Sequence, residues 1–274
     1  MGTLITVAPT GAESSKADVP QLPTTLEELV DTAVRCESAG ASMIHLHIRD
    51  AAHQPTLDPG LLRASVEAIR SATDLIVQLS TGGSVHDPLD QRLTVLDAEP
   101  DSCSLTCGTT NFGDDVFLNP WPFMVTLYRQ TIEREVVPEF ELFDLGHVWA
   151  LGRLLDHEGL PFGGKVHVDF VTGVPGGMPG TTAALMAGVA LLPPQVTSWS
   201  ATGIGRTHLS IAAAALSAGG HLRVGMEDNL VYARGRAVQH NDELVSRAAE
   251  LATLMQRPPL TTSEARDLLG VKRR

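Results

Sequence analysis

Short strand-like segments alternate with helix-like stretches eight times along this chain, and this alternation restricts the possible folds more than any other feature. The predicted strands cover residues 4–8, 42–48, 75–79, 102–106, 139–143, 165–170, 197–201 and 221–224. A buried strand followed by a helix is the repeating unit of α/β folds with a parallel sheet. Eight such units in 274 residues, without a long linker, fit one (β/α)8 TIM barrel better than a doubly wound sheet. We therefore predict an α/β protein with a single catalytic domain over residues 1–274.

Capping patterns locate the predicted helices. Thr25 and Glu28 have the spacing of a capping box, in which each residue satisfies a free backbone amide of the other. This pattern predicts a helix that begins after Thr25 and ends near Gly40, because glycine commonly terminates a helix. Further helices are predicted over about residues 58–71 and 89–97.

Charge and cysteine content narrow the classes of partner. The formal net charge is -12, with an isoelectric point near 5.2, which argues against a general nucleic-acid or anionic-membrane surface. A local basic pocket for an anionic cofactor stays compatible with this charge, and we expect a small-molecule partner. Cys36, Cys103 and Cys107 form an odd set without zinc-knuckle spacing. Together with the absence of a basic leader or a long apolar run, they predict buried thiols in a cytoplasmic protein.

Two histidines near the end of the second predicted strand are the first candidate ligands. His45 and His47 are two residues apart, so an extended chain directs both imidazoles to one side. Each buried imidazole needs a polar partner, and one shared metal ion satisfies both. Glu227 is the expected third ligand, which gives a set suited to Zn²⁺, Mn²⁺ or Fe²⁺; the alternative for Glu227 is a salt bridge to an arginine. His147 and His167 are left outside this site.

Arg223 and Asp228 follow the last predicted strand, where barrel enzymes carry their chemistry. Odd-numbered side chains share a face while the chain stays extended, so Arg223 and Glu227 are both expected to face the barrel mouth. A guanidinium there can hold a carboxylate or an enolate, and the neighbouring Asp228 can accept a proton. The alternative is an ordinary arginine–carboxylate contact that ties a loop to its strand.

Other polar residues lie at the carboxyl ends of the predicted strands. Ser80, with the backbone of Gly82 and Gly83, offers hydrogen-bond donors for an anionic oxygen, although glycines are also ordinary in such a turn. The remaining polar residues at strand ends are Ser104, Thr106 and Glu141. Farther along, Arg206 follows a glycine-containing turn before a helix-like stretch, an arrangement that can receive a phosphate.

With these motifs in place, the chain resembles the β-keto acid cleavage enzymes, the family of the 3-keto-5-aminohexanoate cleavage enzyme of lysine fermentation. The resemblance covers nearly the whole chain, and its motifs occur in the order of the family. They are residues 11–13, 45–50, 80–83, 111–113, 141–144, 203–206 and 223–229.

The resemblance implies a zinc-dependent barrel, usually a homotetramer, that converts a β-keto acid and acetyl-CoA into acetoacetate and a new acyl-CoA. It implies that His45, His47 and Glu227 bind zinc, and that Arg223 and Asp228 form the proton-abstracting pair. The other implied site residues are Ser80, Gly83 and Ser104 or Thr106 as contacts to the keto acid, Glu141 as a polar participant and Glu13 at the variable end of the substrate.

Two other function classes compete with this interpretation. A metal hydrolase of the amidohydrolase type also uses a His-x-His strand in a barrel mouth to activate water. In that pattern the histidines belong on the first strand and an aspartate on the last, whereas here they lie on the second strand with Glu227 after the last. A barrel that binds a metabolite or CoA without turnover is the third hypothesis, and it is disfavoured because no motif of the enzyme is missing.

Overall fold

Eight parallel strands close into a barrel in the computed structural model, which describes residues 2–273. The strands are β1 (Ile5–Val7), β2 (Met43–Leu46), β3 (Ile76–Leu79), β4 (Ser102–Thr106), β5 (Val137–Leu142), β6 (Val166–Thr172), β7 (Val196–Gly203) and β8 (His221–Val224). Each strand pairs with its neighbour in chain order, and β8 pairs with β1 to close the barrel. The (β/α)8 TIM barrel expected from the sequence is confirmed.

Helices surround the barrel, and short hairpins extend from its carboxyl-terminal rim. The helices within residues 2–273 are α1 (Leu26–Ser38), α2 (Pro59–Ala72), α3 (Leu89–Leu93), α4 (Trp121–Glu133), α5 (Leu145–Glu158), α6 (Thr182–Ala190), α7 (His208–Ser217), α8 (Asn241–Leu254) and α9 (Thr262–Leu269). The hairpins pair Ile48–Arg49 with Pro55–Thr56, Thr110–Phe112 with Asp115–Phe117 and Val231–Ala233 with Arg236–Ala237. Over this part of the chain, every helix is too short or too polar to span a bilayer.

The capping residues act as the sequence predicted. The Thr25 side chain accepts a hydrogen bond from the Glu28 amide, and the Glu28 carboxylate accepts from the Thr25 amide. Asp58 likewise accepts from the Leu61 amide at the start of α2. These bonds satisfy amides that have no partner within the helix, which is why α1 and α2 begin at these points.

Several predicted boundaries differ from the structure. The second strand was expected over residues 42–48, but β2 ends at Leu46, and Ile48 pairs instead in a rim hairpin. The helix expected over residues 89–97 divides into α3 and a 3-10 turn, Val95–Ala98. Strand β7 runs beyond its predicted end at residue 201, since Thr202 and Gly203 still pair with β6, and the Thr202 hydroxyl donates to Asp169. The ends of strands that carry polar residues were therefore difficult to predict from the sequence.

The barrel interior changes from apolar to polar along its axis. At the amino-terminal end, Leu4, Met43, Ile76 and Val137 pack against α9. One layer higher the inward side chains are polar and buried: Thr6, His45, Gln78, Ser102, Glu139, His167 and His221. The main apolar core lies outside the strands, against the helices, and includes the three cysteines, which are buried and free. The barrel thus supports a polar site on an apolar base.

Gly225 allows the chain to turn where β8 meets β1. The amide of Ala8 donates to the carbonyl of Val224 over 2.9 Å, and the amide of Glu227 donates to the carbonyl of Ala8 over 3.1 Å. A β-carbon on Gly225 would lie 1.9 Å from the oxygen of Ala8, too close for any side chain. Glycine at this position therefore lets the segment that carries Glu227 fold back over β1.

Replacing Gly225 by alanine is expected to lower the free energy of unfolding by about 3 kcal/mol or more, because the backbone of β1 must move. Gly219→Ala is the matched control, since Gly219 also has a positive φ, of 90°, but open space around its β-carbon. The control should lose only about 1 kcal/mol. Urea unfolding of both variants measures the difference, and equal losses would contradict the proposed steric role of Gly225.

Candidate active site

His45, His47 and Glu227 converge at the carboxyl-terminal end of the barrel. His45 lies in β2, His47 directly follows it, and Glu227 lies in the turn after β8. Glu227 Oε1 is 3.8 Å from His45 Nε2 and 3.7 Å from His47 Nε2. One ligand atom from each of the three residues can be chosen so that all lie within 4.8 Å of one another. The predicted ligands are therefore brought together, although His47 lies outside the strand expected to orient it.

The chemistry of this cluster fits a divalent metal ion. Glu227 Oε2 is buried and has no hydrogen-bond partner within residues 2–273, so a coordination partner would satisfy it. Burial, with the charge of Arg223, lowers the pKa of His45 to about 4, which keeps the imidazole neutral. Burial opposes ionisation of Glu227, but Arg223 and the two histidines lower its pKa to about 2. Two neutral imidazoles and one carboxylate suit Zn²⁺, Mn²⁺ or Fe²⁺.

Arg223 joins three carboxylates beside the metal cluster. Its Nε and Nη2 donate to the two oxygens of Asp228 over 3.1 and 3.0 Å. Its Nη1 donates to Glu141 over 3.1 Å, and its Nη2 also donates to Glu227 through a short hydrogen bond. The salt bridge considered as the alternative role for Glu227 therefore coexists with its place among the metal-binding candidates.

Two of these carboxyl groups have pKa values raised to near neutral pH. Burial raises the pKa of Asp228 to about 7, against the opposing charge of Arg223. Burial also raises the pKa of Glu141 to about 7, again opposed by Arg223. A carboxylate with a raised pKa is a stronger base than an exposed one, so Asp228 has the proton affinity that a general base requires near neutral pH.

Arg223 and Glu227 lie together as expected, but a turn and not an extended chain brings them together. Alternation was expected to continue through an extended segment, but β8 ends at Val224 and the chain turns. The amides of Asp228 and Asn229 both donate to the carbonyl of Gly225. This turn brings Glu227 and Asp228 to Arg223 together, which strict alternation would have forbidden.

A cavity of about 480 Å³ opens above the cluster. Its polar lining includes Ser80, Glu13 and Glu141, together with the backbone of Gly82 and Gly83. Its apolar wall consists of Val85, Phe112, Phe117, Phe143, Val171, Val174, Pro175 and Ile204. Asp114 and Asp115, at the tip of a rim hairpin, complete the outer edge. The volume and the mixed lining suit a small polar metabolite.

Some sequence-predicted contacts lie behind the cavity or outside it. Ser104 is buried, and its hydroxyl accepts from the amide of Thr81. The hydroxyl of Thr106 donates to Glu141 Oε2 over 2.8 Å. Neither side chain belongs to the described lining of the cavity, so each can act there only through its neighbour. Arg206 is exposed in the turn before α7, beside Ile204 of the apolar wall.

Arg92 is a buried cation that the sequence analysis missed. It donates to the carbonyls of Thr81 and Leu118 over 2.7 and 2.6 Å, and to the side chain of Asn119 over 2.5 Å. Its guanidinium also stacks over the ring of Phe117, 4.8 Å from the centroid. Arg92 thereby joins the loop of Ser80 to the hairpin that contributes to the apolar wall. No spacing of partners along the chain indicates this role, because its partners come from separate loops.

Comparisons with known proteins agree with the geometry. The family model described as beta-keto acid cleavage enzyme matches residues 3–271. The 3-keto-5-aminohexanoate cleavage enzyme of Acetoanaerobium sticklandii is 38% identical over 274 residues, covering 98% of both chains. The 3-oxoadipate:acetyl-CoA acetyltransferase of Cupriavidus necator is 34% identical, covering 98% of this chain and 94% of that protein.

A solved structure described as apo ObcA superposes with a TM-score of 0.78 at 22% identity. The alignment covers 92% of this chain and 66% of that one, and at this identity it supports the fold alone. The family match over nearly the whole chain goes further than the fold, and it agrees with the motifs found in the sequence. This chain belongs to the β-keto acid cleavage enzyme family.

Proposed function

We propose that this enzyme transfers the acetyl group of acetyl-CoA to a β-keto acid, releasing acetoacetate and a new acyl-CoA with the help of a bound zinc ion. The observation that carries the proposal is the Arg223–Asp228 pair, which lies beside the three candidate metal ligands at the base of one cavity. The printed name of the relative from Cupriavidus necator, an acetyl-CoA acetyltransferase, supports the choice of acyl donor.

His45, His47 and Glu227 would hold the metal ion and leave a coordination position for substrate. When bound there, a zinc ion would supply Lewis acidity, which would make the C2 proton of the keto acid more acidic. The donor set also accommodates Mn²⁺ or Fe²⁺, and zinc is chosen on the family resemblance.

Asp228 is proposed to remove the C2 proton, since burial gives its carboxylate the proton affinity for this step. Arg223 donates to both oxygens of Asp228 and fixes their orientation. Because the guanidinium is buried and retains its charge, it also stabilises negative charge that develops on the substrate.

The remaining steps follow from the resulting carbanion. C2 attacks the acetyl carbonyl of acetyl-CoA, a carbon–carbon bond forms and the CoA thiolate leaves. The thiolate then attacks the original C3 carbonyl, and the bond between C2 and C3 breaks. The new acyl-CoA leaves, and the acetoacetate carbanion takes back the proton that Asp228 holds. Atoms and charge balance without a serine or cysteine nucleophile, in keeping with three cysteines that are buried in the core.

Substrate contacts are assigned from the cavity lining. Ser80, with the backbone of Gly82 and Gly83, is proposed to bind the substrate carboxylate end, and Glu13 to face its variable end. Glu141 is proposed as a polar participant that Thr106 holds in place. Ser104 is proposed to support the same loop through the amide of Thr81.

Arg206 is proposed to bind a phosphate of CoA. The residue is exposed on the turn before α7, where backbone amides and a positive side chain suit an anion. The adjacent Ile204 lines the cavity, so a thioester at the metal end and phosphates near Arg206 can belong to one extended ligand.

A homotetramer, implied by the resemblance, is also proposed. Trp149 on α5 is 76% exposed, and Leu145, Leu160 and Leu191 are exposed as well. Large apolar side chains at a surface favour burial against another subunit.

The amidohydrolase-type alternative has less support, because His45 is on β2 and the last strand is followed by the Glu227–Asp228 pair.

Replacing His47 by alanine is expected to remove tight zinc binding and turnover, because one of the three ligands is lost. The metal-free variant should unfold at the same urea concentration as the metal-free parent. Elemental analysis after gel filtration measures bound zinc. His86→Ala, which changes an exposed histidine, is the matched control and should retain metal and activity. Full zinc content in the His47 variant would contradict the proposed ligand set.

Replacing Asp228 by asparagine is expected to leave zinc bound and to lower kcat by about 10²–10⁴-fold, because the amide cannot accept the proton. Deuterium exchange at C2 of the keto acid, followed by NMR without acetyl-CoA, isolates this step. Wild-type exchange rates in the Asp228→Asn variant would show that another group is the base.

The reaction itself is tested with acetyl-CoA labelled with ¹³C at both acetyl carbons and a panel of β-keto acids that differ in distal charge. The proposal predicts acetoacetate that carries both labelled carbons, with one new acyl-CoA, for at least one substrate. Mass spectrometry identifies both products. Unlabelled acetoacetate, or keto-acid loss without a new thioester, would indicate hydrolysis instead.

A further inference from the structure

A chain of polar contacts runs through the barrel beneath the metal cluster. His45 Nδ1 lies 2.5 Å from Gln78 Oε1. The side-chain nitrogen of Gln78, Nε2, lies 3.2 Å from Ser102 Oγ and 3.3 Å from Glu139 Oε1. All four side chains are buried, so water does not compete for these contacts. The chain links β2, β3, β4 and β5 at one level of the barrel.

The chemistry of the partners fixes the orientation of the Gln78 amide. An ionised Glu139 can only accept hydrogen bonds, so the NH₂ group of Gln78 must face it. Turning the amide over would place its carbonyl oxygen against a carboxylate oxygen in a buried site, which costs free energy. The carbonyl oxygen of Gln78 therefore faces His45.

Glu139 is itself held from the opposite side. Its Oε2 lies 3.3 Å from His167 Nε2, although the two groups are not aligned as a hydrogen bond. His167 Nδ1 in turn lies 2.7 Å from Ser198 Oγ. Burial disfavours the charge of Glu139, but the contact with His167 and the charge of Arg223 together contribute to lowering the pKa of the carboxyl below its usual value. His167, which the sequence analysis left outside the site, thus keeps Glu139 an acceptor.

This orientation determines which nitrogen of His45 carries its proton. Because Gln78 presents an acceptor, the neutral imidazole must donate through Nδ1–H. The lone pair then lies on Nε2, the atom that is 3.8 Å from Glu227 Oε1. With the opposite tautomer, both His45 and Gln78 would lose their bond, and Nε2 could not bind a metal ion.

We propose that Gln78 and Glu139 are positioning residues of the metal centre: Glu139 orients the Gln78 amide, and Gln78 holds His45 in the tautomer whose Nε2 can bind metal. This inference rests on the metal site of the proposed function, and it assigns a role to buried polar residues that the proposed reaction steps do not use. If Gln78 and Glu139 had only a structural role, each buried polar group would need a hydrogen-bond partner, but the tautomer of His45 would not matter.

The test measures Co²⁺ affinity by competition with a chelator, and the Co²⁺ absorption spectrum reports ligand geometry. Gln78→Leu is expected to raise the Kd about 10–100-fold, the usual effect of losing the group that orients a ligating histidine. Thr131→Val is the matched stability control. It removes a buried hydroxyl hydrogen bond, from Thr131 to the carbonyl of Tyr128, within helix α4 and without a bond to His45, Gln78, Ser102 or Glu139. This control should lower stability without changing the Kd.

An exchange of the two side chains separates positioning from packing. In the double variant Q78E/E139Q the total charge is unchanged, the new carboxylate at position 78 accepts from His45 Nδ1–H, and the new amide at position 139 donates to it. We expect this double variant to bind Co²⁺ with nearly wild-type affinity, whereas Glu139→Gln alone loses affinity because the Gln78 amide is free to turn over.

Several results would overturn the inference. These are an unchanged Kd in Gln78→Leu, or a double variant that is folded yet no better than Glu139→Gln. If Gln78→Leu does not fold, the comparison of Glu139→Gln with the double variant carries the test. If the parent protein itself binds no Co²⁺, the proposed metal site fails.

Imidazole ¹⁵N shifts of the metal-free protein then test Gln78 separately. The wild type should show the Nδ1–H form of His45, and retention of that form in Gln78→Leu would contradict the proposed role of Gln78.

Discussion

The contact of one buried guanidinium with three carboxylates governs the rest of the site. Arg223 meets Asp228, Glu141 and Glu227 at the carboxyl-terminal end of the barrel. If all three carboxylates are ionised, the group carries an excess of two negative charges, and burying such a charge is costly. Raised pKa values at Asp228 and Glu141 are the consequence of that burial. A divalent cation on Glu227 would balance the excess, so the proposed metal completes the electrostatics of the site as well as its chemistry.

The fold and the residues of the candidate metal cluster could be predicted from the sequence because their signals are local. A capping box, a run of apolar residues and a His-x-His spacing each depend on neighbours along the chain. Parallel strands in a closed barrel then bring all carboxyl ends to one rim, so His45 and Glu227 meet although they are far apart in sequence. The comparisons confirm the family that these motifs indicated.

Contacts across the barrel could not be predicted in the same way. Gln78 interrupts the apolar strand Ile76–Leu79, and that polar residue in a buried run was the available signal for an inward contact. Its partners depend on how neighbouring strands are staggered: the ladder pairs Gln78 with Ser102, but it pairs Glu139 with Ser104. The register between neighbouring strands cannot be predicted from the sequence alone. The same limitation applies to Thr106, whose position at a strand end did not reveal that its hydroxyl bonds to Glu141.

For the proposed reaction, the difference between the polar base of the cavity and its apolar upper wall suggests a place for selectivity between keto acids. At the base, polar side chains hold one another: Arg223 contacts three carboxylates, and His45 contacts Gln78. A change there disturbs the chemistry common to all substrates. The upper wall is built differently, from Phe112, Phe117 and Phe143, whose rings meet edge to face at 6.1–6.3 Å and come from the rim hairpin and the end of β5. Apolar contacts of this kind tolerate changes of size without leaving a charge unpaired. Substitution on this wall is therefore expected to alter the acyl group that is accepted while the proposed proton-transfer and metal-binding groups stay in place.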